Sequence, residues 1–390
     1  MLAFRLAYRN LIGAGLRTWL NVFVLSVSFV VIIWHKGFLD GWDKQARYDM
    51  INWEFANGQY WQENYDPHDM FTLDNSHAIL PDKLEDHVEA GNATPVLISR
   101  ATIYPGGRLQ NVLVKGLDPR QNILALPSTS LLNGGDGMKA IIGHKMAKVN
   151  HLTVGDQVTM RWRDVNGTFD AADIEIVDIF QTDVPSVDIG QVWISLDKLR
   201  EMLKTPGEAT IVVTNENVNT ENNYPGWEFK DLDFLLADIN EIIKSKTAGG
   251  AIFWFILLLL AMLAIFDTQV LSVFRRQKEI GTYVALGMTR RQVVGLFTVE
   301  GAFHSLLAVI AGAVYGLPLL WLQARKGIQL PYESSDYGIT MAETIYPKYS
   351  LALVITTLIL IVITTTIVSY WPSKKIAKMN PTEALRGKLQ

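Results

Sequence analysis

The chain has 390 residues, 49% hydrophobic and 19% charged, with mean hydropathy +0.16. Soluble domains carry about 25% charge, and the deficit here lies in a few long apolar runs, which excludes a uniformly soluble protein. The net charge of −4 gives no ground for a nucleic-acid partner, and the absence of cysteine excludes disulfides and thiolate metal sites.

Residues 1–18 hold Arg5, Arg9 and Arg17, no acid, and leucines at 2, 6, 11 and 16. This pattern predicts a short amphipathic segment on the cytoplasmic membrane surface. Residues 19–37 are the first predicted transmembrane helix, with Trp19 and Trp34 at its two ends. A cleaved signal peptide is the rival reading. Trp34-His35-Lys36-Gly37-Phe38 offers no small-x-small cleavage site, which favours an uncleaved span.

Residues 38–248 contain no membrane-length apolar run. With the N-terminus inside, they form an extracytoplasmic α+β domain. A helix is expected over Asp82–Ala90, and strands over Pro95–Ser99 and Val112–Lys115. Ala140–Gly143 leads into a helix at His144–Val149. Strands Gln157–Arg163 and Ile174–Ile179 meet through Asn166-Gly167, a hairpin signal. A strand at Gln191–Ile194, a helix from Ser195 as N-cap to Leu203, and a strand at Ile211–Thr214 follow. Asp231–Lys246 is amphipathic and runs directly into the next apolar stretch.

Residues 249–274 are the second predicted span, 275–291 a basic cytoplasmic segment, 292–323 the third span, 324–349 a short outer loop and 350–371 the fourth span. The tail, 372–390, carries Lys374, Lys375, Lys378, Arg386 and Lys388 and is placed inside, because Lys and Arg concentrate in cytoplasmic loops. The fold class is therefore an α-helical membrane protein with four transmembrane helices and a large α+β domain between the first and second. Gly312 and Gly316 give the third span a small-xxx-small face for helix packing.

The segment 275–291 also has the pattern of a short helix. Ile280, Tyr283, Val284 and Leu286 form its expected apolar side, and Gly287 its stop. A helix held under the membrane by two spans can carry force from a partner. The bland alternative is a charged turn that only sets topology.

Catalytic patterns are missing: the sequence has no Gly-x-x-x-x-Gly-Lys-Ser/Thr, no His-Glu-x-x-His and no Gly-x-Ser-x-Gly. His68, Asp69, Asp74, His77, Asp82, Asp86 and His87 match no compact zinc spacing and are read as solvated surface, so no metal is expected. Asp267, inside the second span, is expected to cap or to pair with Arg275 or Arg276. His304 in the third is expected to be a hydrogen-bonded packing residue rather than a proton relay. Phe23, Phe29, Trp34 and Phe38 suit an acyl chain or simply lipid.

The stretch Arg275-Arg276-x-x-Glu279-Ile280-Gly281-x-x-x-Ala285-Leu286-Gly287-x-x-Arg290, followed by Phe297 and Glu300, resembles the coupling segment of FtsX-like/MacB-type ABC transporter permeases. Three stretches of the middle region are similar to the ectodomain of that family: Val114-Lys115-Gly116-Leu117-Asp118-Pro119, Ile142-Gly143-His144-Lys145-Met146-Ala147, and Leu152-x-Val154-Gly155-Asp156. Leu6–Leu11 and Pro372–Arg386 resemble its two ends. The resemblance implies a non-catalytic permease subunit. It would bind no cofactor itself and work with a cytoplasmic ABC ATPase dimer that binds ATP and Mg. It also implies a second permease subunit, and residence in the bacterial inner membrane with the large domain in the periplasm. Glu279, Ile280, Gly281, Ala285, Leu286, Gly287 and Arg290 would dock on the ATPase. Phe23, Phe29, Trp34, Phe38 and Phe255 would line a cargo cavity. The similarity is greatest to the lipoprotein-releasing (Lol) permeases, which implies lipoprotein cargo and a periplasmic chaperone. MacB-like export of drugs, peptides or other small molecules, or FtsX-like regulation of cell-wall hydrolases, are the alternatives. The hairpin over Trp162–Ala171 is short for direct chaperone docking.

Overall fold

A computed structural model describes residues 16–133, 137–219, 224–330 and 340–375. The expected amphipathic segment at 1–18 therefore lies outside the described residues up to position 15, as do the tail from 376 and positions 331–339 of the outer loop. In chain order the helices and strands are α1 (Leu16–Met50), β1 (Gly58–Gln62), β2 (Ala78–Ile79), α2 (Asp82–Glu89), β3 (Ala93–Ile103), β4 (Gln110–Leu117), β5 (Met138–Gly143), α3 (His144–Asn150), β6 (Gln157–Arg163), β7 (Phe169–Phe180) and α4 (Pro185–Asp188). They continue with β8 (Gln191–Ser195), α5 (Leu196–Leu203), β9 (Glu208–Ala209), β10 (Ile211–Thr214), β11 (Trp227–Lys230), α6 (Leu232–Leu235), α7 (Ala237–Arg275), α8 (Gln277–Ala285), α9 (Arg290–Lys326), β12 (Ile328–Gln329), β13 (Thr344–Ile345) and α10 (Leu351–Ser373). The chain divides into two compact units at Trp42/Asp43, Ile242/Ile243, Gln329/Leu330 and Glu343/Thr344.

The first unit is helical. Among the described residues, four of its helices are long and apolar enough to cross a membrane. Their shared core joins Leu25, Phe29 and Ile33 of α1 to Ala261 and Ile265 of α7, Ala308 of α9 and Ile361 of α10. Elsewhere these helices turn large apolar side chains outward, as a lipid solvent permits. Polar groups tie the seams: Asn21 Nδ2 donates to Thr268 Oγ1 at 2.6 Å, and the Ser26 and Tyr315 hydroxyls lie 3.2 Å apart. Gly312 and Gly316 are buried against α1, where added Cβ atoms would come 3.1 Å from Phe29 and 2.6 Å from Val30. Gly301 does the same against Ser369 of α10. Helix α1 does not stop at 37 but runs to Met50 and continues as a π-helical turn over Ile51–Phe55. The apolar run sets a span length, not a helix end, and no Gly or Pro breaks the helix after Gly41.

The second unit is built on one nine-stranded mixed sheet in the order β11-β1-β10-β3-β4-β8-β5-β7-β6. A further β3–β6 pairing closes six of its strands into a ring. Pairs β4–β8 and β5–β7 are parallel and the rest antiparallel. Alternation along the strands sends Val112, Val114, Met160, Ile174 and Val192 into the ring, against α5. The opposite face of β3, β8 and β10 carries Val96, Ile98, Trp193, Ile211 and Val213 in a second core.

The three ectodomain motifs each have a packing reason. Gly116 lets Leu196 and Leu199 of α5 close on β4, where an added Cβ would lie about 3.0 Å from Leu199. Gly143 leaves room for the buried Asp188 carboxylate, which accepts from Lys145 N at 3.0 Å and Met146 N at 3.2 Å and so caps α3. Asp156 accepts from Thr153 N, with Gly155 at φ +94° completing the turn. Ser195 precedes α5, but its side chain makes no cap bond. The stretch from Asp231 is not one helix. Asp231 caps α6 by accepting from Phe234 N, and α7 begins after Leu236.

Candidate functional site

The segment between α7 and α9 forms a small packed unit rather than a bare turn. Helix α8 places Ile280, Tyr283 and Val284 at the spacing of one helical face. They meet Val273, Val293, Val294 and Phe297, and Ile280 is 2% exposed. The helix ends as its sequence dictates. Gly287 takes φ +94°, Gly287 N donates to Val284 O, and Met288 N to Tyr283 O, the paired bonds of a Schellman cap. Thr289 and Gln292 then form a reciprocal capping box that starts α9.

One ion cluster holds the unit together. The Arg276 guanidinium donates through Nη1 to both Glu300 carboxylate oxygens at 2.9 Å and through Nε to Glu279 at 2.7 Å. It also lies 4.7 Å over the Phe297 ring. Glu300 is buried, so this pair fixes the start of α8 to α9. The sequence motif names Arg276 and Glu300 but does not pair them with each other. The signal was a charge inside an otherwise apolar helical face, which in a long apolar helix requires a partner.

The seven expected docking residues separate into two groups. Ile280 and Gly281 are buried within the chain and position the helix; they offer no surface to a partner. Glu279, Ala285, Leu286, Gly287 and Arg290 are exposed. Leu286 does not join the apolar face expected of it: it is 79% exposed, because it lies 240° around the helix axis from Ile280 rather than beside it. The arrangement is a helix end clamped from behind, with Leu286 and Arg290 both exposed.

The expected cargo aromatics do not converge. Phe29 is buried in the helical core, Trp34 stacks on Phe38 with ring centroids 6.4 Å apart, and Phe23 and Phe255 are exposed. Asp267 is exposed on α7 and is not held by Arg276, whose guanidinium is taken by Glu279 and Glu300. His304 is buried, with Nδ1 at 3.2 Å from the Glu300 and Gly301 carbonyls of its own helix, a satisfied packing residue. Of the acid and histidine residues around position 77, His77 bonds Glu208 and Asp74 pairs with Arg100. No cluster of three metal-ligating side chains occurs among the described residues.

Among the described residues, four membrane-length helices, a large mixed-sheet domain between the first two and a clamped basic elbow between the second and third define a polytopic membrane protein. Residues 251–381 match the FtsX-like permease C-terminal family. The chain is 21% identical over 403 residues to the lipoprotein-releasing system transmembrane protein LolC of Xylella fastidiosa, covering 94% of this chain and 92% of LolC. It is 28% identical over 166 residues to an uncharacterized ABC transporter permease of Methanocaldococcus jannaschii, spanning 41% of this chain and 39% of that protein. It is 28% identical over 160 residues to the macrolide export ATP-binding/permease protein MacB of Sodalis glossinidius, spanning 39% of this chain and 22% of MacB. The chain therefore carries an FtsX-like permease domain, and its homologues are ABC transporter permeases, LolC and MacB among them.

Proposed function

We propose that this chain is the permease subunit of a bacterial inner-membrane transporter that extracts lipoproteins, driven by a separate cytoplasmic ABC ATPase. The observation that carries the reading is the near full-length similarity to LolC, which takes in the inter-helix domain as well as the four long helices. The similarity to MacB is confined to 39% of the chain. In this reading the large domain lies in the periplasm. ATP-driven closure of the ATPase pair would press on the exposed end of α8 around Leu286 and Arg290. Arg276 and Glu300 would pass the load to α9, and α7, which runs unbroken from Ala237 to Arg275, would carry it towards the outer domain.

A second permease subunit completes the transporter. Asp267 supports this: an exposed carboxylate in a membrane-length helix is costly against lipid and calls for a protein or aqueous neighbour. The hairpin between β6 and β7 turns within Asp164–Thr168, around Asp164, which accepts from Asn166 N and Thr168 N. In this reading, the short hairpin is the reason to propose chaperone docking by the other permease of the pair rather than by this chain.

Depletion is the test. Lipoproteins should accumulate in the inner membrane when the protein is lost. Normal outer-membrane delivery would end the lipoprotein reading. Drug sensitivity with normal delivery would move the assignment to MacB-like export, and co-purification of a cell-wall hydrolase would move it to regulation.

A further inference from the structure

The inter-helix domain holds a cavity of about 440 Å³ on the sheet face opposite the ring interior. That is within the usual range for small-molecule sites. Val96, Ile98, Trp61, Trp193, Ile211 and Val213 give it an apolar wall. A second cavity of about 300 Å³ shares Trp61, Tyr65 and Phe234 with the first, so the two adjoin across an aromatic cluster.

Lys115 stands in this apolar wall. It is paired in register with Ile98 on β3 and Trp193 on β8, and is only 8% exposed. Its three N–H donors meet one hydrogen bond among the described residues, to the Ser186 carbonyl at 3.3 Å. The ammonium also lies 4.9 Å over the Trp193 ring. Glu54 lines the same cavity, but its carboxylate is engaged by the Ser186 hydroxyl. Burial pushes the Lys115 pKa down, and the Glu54 charge acts in the opposite sense. A nearly buried cation set in an apolar wall is left with donors that meet no acceptor among the described residues. Packing does not explain it, because a leucine or methionine on β4 would complete the same core without that cost.

We propose that this cavity binds an anionic amphiphile: an apolar body lying on the β3–β10 face, with one carboxylate received by Lys115 Nζ. The wall supplies affinity through burial, and the lysine supplies orientation and selectivity for negative charge. The unused donors decide the sign. Asp238 and Glu54 also line the cavity, but the donors left unused belong to Lys115. The site is independent of the transport reading, since it requires neither ATP nor a partner chain.

The test uses the full chain in lipid nanodiscs, with empty discs as the blank and radiolabelled 2-naphthoate in equilibrium dialysis. One saturable site per chain is expected. K115M should weaken naphthoate about tenfold or more, the loss of one charged hydrogen bond. Neutral 2-naphthamide should bind parent and K115M equally, showing that the cavity remains formed. Absence of saturable naphthoate binding, equal naphthoate affinity in K115M, or tighter binding of 2-naphthylmethylammonium would each overturn the proposal. If K115M loses both probes, E54Q decides: removing the competing charge must tighten naphthoate severalfold, and no tightening overturns the site.

Discussion

Arg276 is where the α8 elbow is most easily broken. Its Nη1 reaches both oxygens of buried Glu300, while its Nε reaches the exposed Glu279. R276M leaves the Glu300 carboxylate buried without its partner, and E300L leaves the half-buried guanidinium without its main acceptor. Breaking one side of a buried pair costs about 3–5 kcal/mol, whereas an exposed limb such as Glu279 is worth less than about 1 kcal/mol. At about 3 kcal/mol, with each 1.4 kcal/mol giving about tenfold, separation of α8 from α9 becomes roughly 100-fold more populated. The assay is limited trypsin cleavage after Lys278 in lipid-reconstituted protein, read by mass spectrometry at low protease. Under those conditions the cleavage rate follows the open population. R276M and E300L should each accelerate cleavage by about 100-fold, and E279A by less than about fivefold. R276M/E300L should return to within about tenfold of the parent, because an apolar pair replaces a buried ionic one at little cost. Additive single effects, or equal effects of E279A and E300L, would refute the assignment of the clamp to the buried limb.

Four further outcomes are expected. L286D should leave stability within about 0.5 kcal/mol, as for an exposed position, yet abolish co-purification of the ATPase; retained co-purification would remove Leu286 from the contact surface. G316I should drive its side chain into Val30 on α1 and cost about 1–3 kcal/mol by overpacking, measured by SDS-titrated unfolding in mild detergent. G143A should collide with the Asp188 carboxylate that caps α3 and lower the melting temperature of the protein, and a melting curve unchanged from the parent would contradict that geometry. Burial, reinforced by the nearby Asp183 charge, pushes the Asp49 pKa up to about 6 from 3.8. A carboxyl raised in the folded state binds its proton more tightly there. Asp49 should therefore contribute stability that grows as pH falls through about 6 towards 4 and is lost as pH rises back through that window. D49N should flatten this dependence in pH-resolved thermal melts.

Much of the membrane unit is legible from one dimension. Four long apolar runs require helices, because a backbone in lipid must satisfy its own hydrogen bonds. Gly287 and Thr289 announce a helix end and a helix start through local chemistry alone. The pairing of Gly312 and Gly316 with a neighbour was likewise readable, though not that the neighbour is α1. In the inter-helix domain, strands that alternate strongly or sit beside Asn166-Gly167 could be found. β1 and β11 could not, because Gly58–Gln62 and Trp227–Lys230 are short and mixed in character and become strands only by pairing with each other and with β10.

By itself, then, the sequence determines elements whose cause is local: span length, caps, the hairpin turn and the apolar side of α8 from Ile280 to Val284. Tertiary structure decides what depends on which distant side chain arrives. It commits Arg276 to Glu300 rather than Asp267, sends Phe29 into the core and leaves Phe23 outside, turns Leu286 outward, and closes β3 onto β6. It also sets Lys115 against Trp193 beside an apolar cavity. Periodicity along a chain says which face a residue occupies. The energy of a charge or an aromatic ring depends on what the fold brings to that face, and those partners lie tens to hundreds of residues away.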